Sequence, residues 1–107
     1  MGTPATQPAA HNPAPMTITR TSASTFDMNG RTVAYGTVEF TDDRNRKVML
    51  TKGPLDISVY VNPTRRSLGK HFRSPDEMLQ HYKTLRAELT EALRIATGLA
   101  AEALAEA

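Results

Sequence analysis

Three histidines, eleven carboxylates and thirteen lysines or arginines are the side chains here able to do acid–base, metal or ionic chemistry. Spacing argues against the first two. His11, His71 and His81 form no pair at metal-ligand separation, and a lone imidazole cannot build a coordination shell. Asp42 and Asp43 are neighbours, so on an extended chain they point apart and read as a solvated turn, not a carboxylate pair. Gly69-Lys70 has the last two residues of a phosphate-binding loop. The glycine required five positions earlier is Thr64, and His71 stands where the Ser/Thr metal ligand belongs. No serine has an inferable histidine–acid partner set. With no cysteine, disulfides, thiolate metal sites and a thiol nucleophile are excluded. The expectation is a non-enzymatic protein without metal or cofactor.

The cations remain, and they are unevenly placed. Residues 1–15 carry no charged side chain, Met16 to Arg73 carry ten Lys/Arg against five Asp/Glu, and Ser74 to Ala107 carry three against six. The first charged region is therefore +5 and the second −3. A basic region joined to a mildly acidic one points to an anionic partner such as nucleic acid. The densest run is Arg65, Arg66, Lys70, His71 and Arg73, in the connection between Asn62 and the C-terminal helix.

What must position these cations is a small sheet. Residues 1–15, with Pro4, Pro8, Pro13 and Pro15 and little apolar surface, are expected to be a disordered tail. A single domain over 16–107 follows, with the sheet over 16–62, the basic loop over 63–73 and the helix over 75–105. Met16–Thr21 alternates as a strand that can run on towards Phe26, and Asn29-Gly30 is the pair best suited to a type I′ hairpin. Arg31–Thr41 is the second strand. Its apolar parity slips at Gly36, which favours a bulge bringing Val33, Tyr35, Val38 and Phe40 to one side. The alternative keeps Val38 and Phe40 inside and Tyr35 outside. Arg46–Thr51 places Val48 and Leu50 inward. Leu55–Asn62 alternates most cleanly, with Leu55, Ile57, Val59 and Val61 on one face. The fold expected is α+β: a four-stranded antiparallel twisted meander followed by one long helix on one face.

The helix starts with a capping box, Ser74 and Glu77, with Pro75 at the first helical position. Met78, Tyr82, Leu85, Leu89, Ala92, Ala96, Leu99 and Ala103 then recur at steps of four and three as one apolar stripe. An unbroken helix of this length spans roughly 45 Å at 1.5 Å per residue, more than a five-residue strand can cover. A homodimer burying Leu89, Leu93, Ala96, Leu99 and Ala103 is the expectation.

If the helix covers one face, the other presents threonines, Lys47, Met49, Ser58 and Tyr60 inside a basic frame. Bases could stack on the tyrosine while cations follow the phosphates. The nucleic-acid contacts expected are Arg46, Lys47, Lys52, Tyr60, Arg65, Arg66, Lys70 and Arg73, with single strands preferred. The element order resembles that of the Whirly-type single-strand binders. No motif of theirs matches residue by residue, so no binding residues follow from the resemblance. The rival reading is a protein–protein interaction module, an accessory or inhibitor protein docking through the exposed sheet face or edge. The N-terminus has no basic-then-apolar leader and no stretch reaches 18 apolar residues, so a cytoplasmic protein without a membrane span is expected.

Overall fold

A computed structural model describes residues 16–62 and 69–107. They form β1 (Met16–Met28), β2 (Arg31–Asp42), β3 (Lys47–Lys52), β4 (Ile57–Val61) and β5 (Lys70–Phe72). Then come α1 (Pro75–His81), a 3-10 turn over Lys83–Leu85, and α2 (Arg86–Ala105). The architecture is α+β. The strands lie in chain order in one antiparallel sheet, and α2 packs on one face of it, chiefly over β2. The expected tail over 1–15 and the expected contacts Arg65 and Arg66 lie outside the described residues.

The first hairpin forms where its chemistry predicts. Asn29 and Gly30 take φ of 53° and 79°, the left-handed values a two-residue I′ turn requires, and Met28 pairs with Arg31 across them. Both strands are much longer than average, and β1 runs beyond Phe26. One irregularity interrupts their register, between Ile18 and Arg20, where Thr19 is the extra residue and its hydroxyl donates to the Glu39 carbonyl at 3.1 Å.

The expected bulge at Gly36 is therefore corrected. Gly36 pairs in unbroken register with Ala23 on one side and Lys52 on the other. Val38 and Phe40 are completely buried, while Tyr35 is 37% exposed on the opposite face. Gly36 is glycine for another reason. A Cβ there would lie 2.2 Å from the Ala96 carbonyl oxygen and 3.2 Å from the Ala100 nitrogen, so α2 rests on β2 backbone to backbone at this point.

The core is one layer between sheet and helices. Val38, Phe40, Val48, Leu50, Ile57 and Val59 from the sheet meet Met78, Leu85, Leu89, Ala92 and Ala96 from the helical segment. The stripe read from the sequence is thus the buried one. Leu55 is not part of it. It sits 75% exposed in the β3–β4 connection, where the Gly53 N–H donates to the Asp56 carbonyl, and β4 starts only at Ile57.

Two further expectations change. Among the described residues the sheet has five strands, because Lys70–Phe72, expected as loop, pairs with Ile57–Val59. The C-terminal helix is not continuous: Tyr82, at φ −111° and ψ 68°, leaves helical space, and its N–H closes α1 on the Met78 carbonyl. The Tyr82 ring packs edge-on against Phe72 and His81 at 5.8 and 4.6 Å. The break turns the chain so that Met78 and Leu89 both reach the same core. Past it, α2 is one helix through Gly98 to Ala105, about 30 Å long. Two strands of twelve and thirteen residues match that length, so the helix is not too long for its sheet. The expected cap at Ser74 forms, with the Glu77 N–H donating to its hydroxyl at 3.2 Å. In return the Glu77 carboxylate accepts from the Arg73 N–H at 3.0 Å, one residue before the cap.

Candidate interaction surface

Pairing assigns each side chain to a face. Residues opposite one another share a side, so Arg20, Ser22, Ser24 and Phe26 of β1 lie with Val33, Tyr35, Thr37 and Glu39 of β2 on the face away from α2. Met49 and Thr51 of β3 continue that face into Tyr60 and Ser58 of β4, and Ser58 into His71 of β5. It is an open, largely hydroxyl-bearing surface. Thr37 and Thr51 share a hydrogen bond at 3.0 Å, and the Phe26 and Tyr35 rings pack together at 5.8 Å.

The expected nucleic-acid contacts do not gather on it. Lys47 and Tyr60 are there. Lys52 pairs with Gly36 and Ile57, both inward, and so lies on the helix side. It lines a cleft with Ala34, Thr97, Ala101 and Leu104, and its ammonium donates to the Gly53 carbonyl at 2.6 Å. Lys70 pairs with inward Val59 and is also turned to the helix side, at the far edge. Arg73 is exposed beside the start of α1. Tyr60 is half-buried rather than free: a Cβ at Gly69 would come within 2.5 Å of its ring, so the loop end rests against it.

Arg46 is bound into a turn. The Asp42 side chain is fully buried and accepts from the Arg44 N–H at 3.0 Å, the Arg46 N–H at 2.7 Å and the Arg46 Nε at 2.7 Å. Burial alone pushes this carboxyl up. The hydrogen bonds and charge of Arg46 outweigh it and hold Asp42 below its ordinary value. Asp42 is thus the organiser of the β2–β3 turn, whereas Asp43 is exposed as expected. Counting by twos from Val38 and Phe40 places Asp42 inward, and counting from Val48 and Leu50 does the same for Lys52. That signal was present in the sequence.

Of the five residues expected at a helix-mediated dimer interface, Leu89 and Ala96 have no exposed surface, because the chain's own sheet covers them. Leu93 and Leu99 are half-buried against the same core, and Ala103 is half-buried near the helix end. The centre of this set is thus packed against the chain's own sheet.

The pairing of β5 also makes a group the sequence did not reveal. His71 Nδ1 lies 2.9 Å from an Asp56 carboxylate oxygen and 3.0 Å from the Ser58 hydroxyl. Both partners meet the same ring nitrogen. A relay needs the acid on one nitrogen and the nucleophile on the other, so this is not a hydrolase arrangement. His81 stacks within the Phe72–Tyr82 cluster, 5.5 Å from the Phe72 ring. Among the described residues no three histidine or acidic side chains gather as metal ligands.

Among the described residues, the outer edge of β1 has no partner strand. Eleven of its thirteen residues are exposed and the other two half-buried, in a strand that belongs to the same sheet as the core. Because Met28 and Arg31 close a two-residue turn, the even-numbered residues from Arg20 to Met28 direct their N–H and C=O to β2. The backbone groups of Thr21, Ala23 and Thr25 consequently point off the sheet edge, where among the described residues no strand receives them. The edge carries little of the usual protection. Arg20 and Asp27 are its charges, it has no proline or lysine, and its bulge lies near one end. No helix among the described residues is long and apolar enough to cross a membrane. No protein-family model, curated protein or solved structure matches this chain.

Proposed function

We propose that the chain is a non-enzymatic protein-interaction module that recruits its partner through the free edge and open face of its sheet. The observation that carries this reading is the β1 edge: a long, exposed strand whose outward amides and carbonyls meet no other strand among the described residues, as strand addition requires. The open face beside it supplies hydroxyls and the Phe26–Tyr35 pair as the side-chain contribution to specificity. The lack of cysteine supports a reducing, cytoplasmic setting. The test is a photo-crosslinking residue placed at Thr25 and irradiated in cells. A covalent adduct to a defined protein segment is expected, and no adduct above that of the same probe at buried Val48 overturns the reading.

A second reading keeps a specific observation. Lys47, Met49 and Tyr60 share the open face, in a region whose charge balance is +5, which suits a single-stranded nucleic acid. Anisotropy of a labelled single strand separates the two. Nucleic-acid binding weakens with salt at a logarithmic slope of about −0.7 per phosphate contacted, whereas strand addition is nearly indifferent to salt. Lys47→Glu should then abolish oligonucleotide binding and leave the Thr25 adduct unchanged.

A further inference from the structure

We infer that the partner taken by the β1 edge is a second copy of β1, paired antiparallel about a two-fold axis through Ala23. This rests on the edge reading above and names its occupant. Thr21-Ser22-Ala23-Ser24-Thr25 reads the same in both directions. About Ala23 an antiparallel copy sets Thr21 against Thr25, Ser22 against Ser24 and Ala23 against itself. The backbone agrees with this register. Thr21, Ala23, Thr25 and Asp27 are the regular residues whose N–H and C=O point outward, and the first three meet one another in this pairing. From Arg20 to Met28 the strand is free of the Thr19 irregularity, so the paired segment is regular.

The charged and aromatic side chains agree as well. Arg20 falls opposite Phe26 of the second copy on the open face, a cation over an aromatic ring, and symmetry supplies that contact twice. Asp27 falls opposite Thr19, so no like charges face one another. An axis moved to Arg20 would oppose two guanidinium groups. Axes at Ser22 or Ser24 break the palindrome and take Phe26 away from Arg20. The helices are compatible too. A two-fold axis perpendicular to the sheet puts both copies of α2 on one face. Each crosses mainly over its own β2, which leaves roughly 14 Å, three strand spacings, between them. Packed helices need 8–10 Å. Thr21, Ala23 and Thr25, all small, line the floor of the gap.

Sedimentation velocity of the full chain at tens of micromolar tests this, with twice the 11.7 kDa of one chain expected. Ala23→Pro removes an outward N–H that β2 does not use, so a folded monomer by circular dichroism is expected. Arg20→Ala should weaken the dimer by about tenfold, through its doubled ring contact. The decisive variant is Ala23→Cys in a chain otherwise free of cysteine. Opposed residues of a hydrogen-bonded pair are about 5.5 Å apart, within disulfide reach, so oxidised glutathione should link two copies. Thr21→Cys and Thr25→Cys, each far from its own symmetry mate, should not link. A monomeric wild type, or equal cross-linking at all three positions, overturns the self-pairing. If the wild type is a monomer while the Thr25 probe still marks a different protein, the edge reading survives and only self-pairing fails. No adduct of either kind overturns both.

Discussion

β1 and β2 are two arms of one hairpin, yet they obey different rules. Every second residue of β2 from Gly36 to Asp42 is buried, with Val38 and Phe40 at 0% exposure, while no residue of β1 is buried. The sterics of α2 explain the asymmetry: the helix axis lies over β2, where Gly36 admits its backbone, and reaches β1 only at its flank. Stability of the packed arm comes from apolar burial. The outer arm is held mainly by its ladder to β2, so its composition is free to answer to something outside the chain.

Substitutions can break or sharpen that contrast. Phe40→Ala should cost about 4 kcal/mol in denaturant unfolding, since it empties a fully buried site. Phe26→Ala, 40% exposed on β1, should cost under about 1 kcal/mol. Equal losses would erase the distinction. Gly36→Ala should cost about 3 kcal/mol, because its methyl meets helix backbone rather than a flexible side-chain end. A smaller loss would mean that α2 shifts readily.

Asp42→Asn should cost about 2 kcal/mol through its charged hydrogen bonds. The wild-type contribution also has a pH signature. A carboxyl held below its ordinary value of 3.8 stabilises the fold fully above that value, and the contribution is lost as pH falls through the lower folded value. Asp42→Asn should therefore flatten the acid limb of a stability–pH curve and leave the neutral limb parallel to wild type. Smallest is a gain. Gly98 lies exposed within α2 with open space around it, so Gly98→Ala should raise stability by about 0.8–1 kcal/mol. No gain would imply that something covers Gly98 in solution.

Local chemistry was legible in the sequence, and pairing was not. Asn29-Gly30 announced its turn because the φ preference belongs to those two residues alone. The stripe from Met78 to Ala96 announced the helical core because burial imposes its period. The interruption at Tyr82 left no mark, since a 3-10 turn kept Leu85 in phase with the stripe and no glycine or proline signalled the exit from α1. β5 was missed because Lys70-His71-Phe72 is too short to show alternation. With it went the Asp56–Ser58–His71 group and the true face of Lys70. The cations of the expected nucleic-acid surface are close in sequence, but strand parity puts Lys47 on the open face and Lys52 and Lys70 on the helix side.

The strand order has a consequence for how quickly this protein reaches its structure. Each strand pairs with its neighbour in the chain, so closing the sheet requires no crossover and only short loops. Assembly can propagate outward from the Asn29-Gly30 turn one strand at a time. The largest closure in the chain is the return of α2 across the sequence to rest on Gly36. Topology of this kind belongs with the mixed domains of intermediate contact order, and its longest-range contacts are those of α2 with the first hairpin.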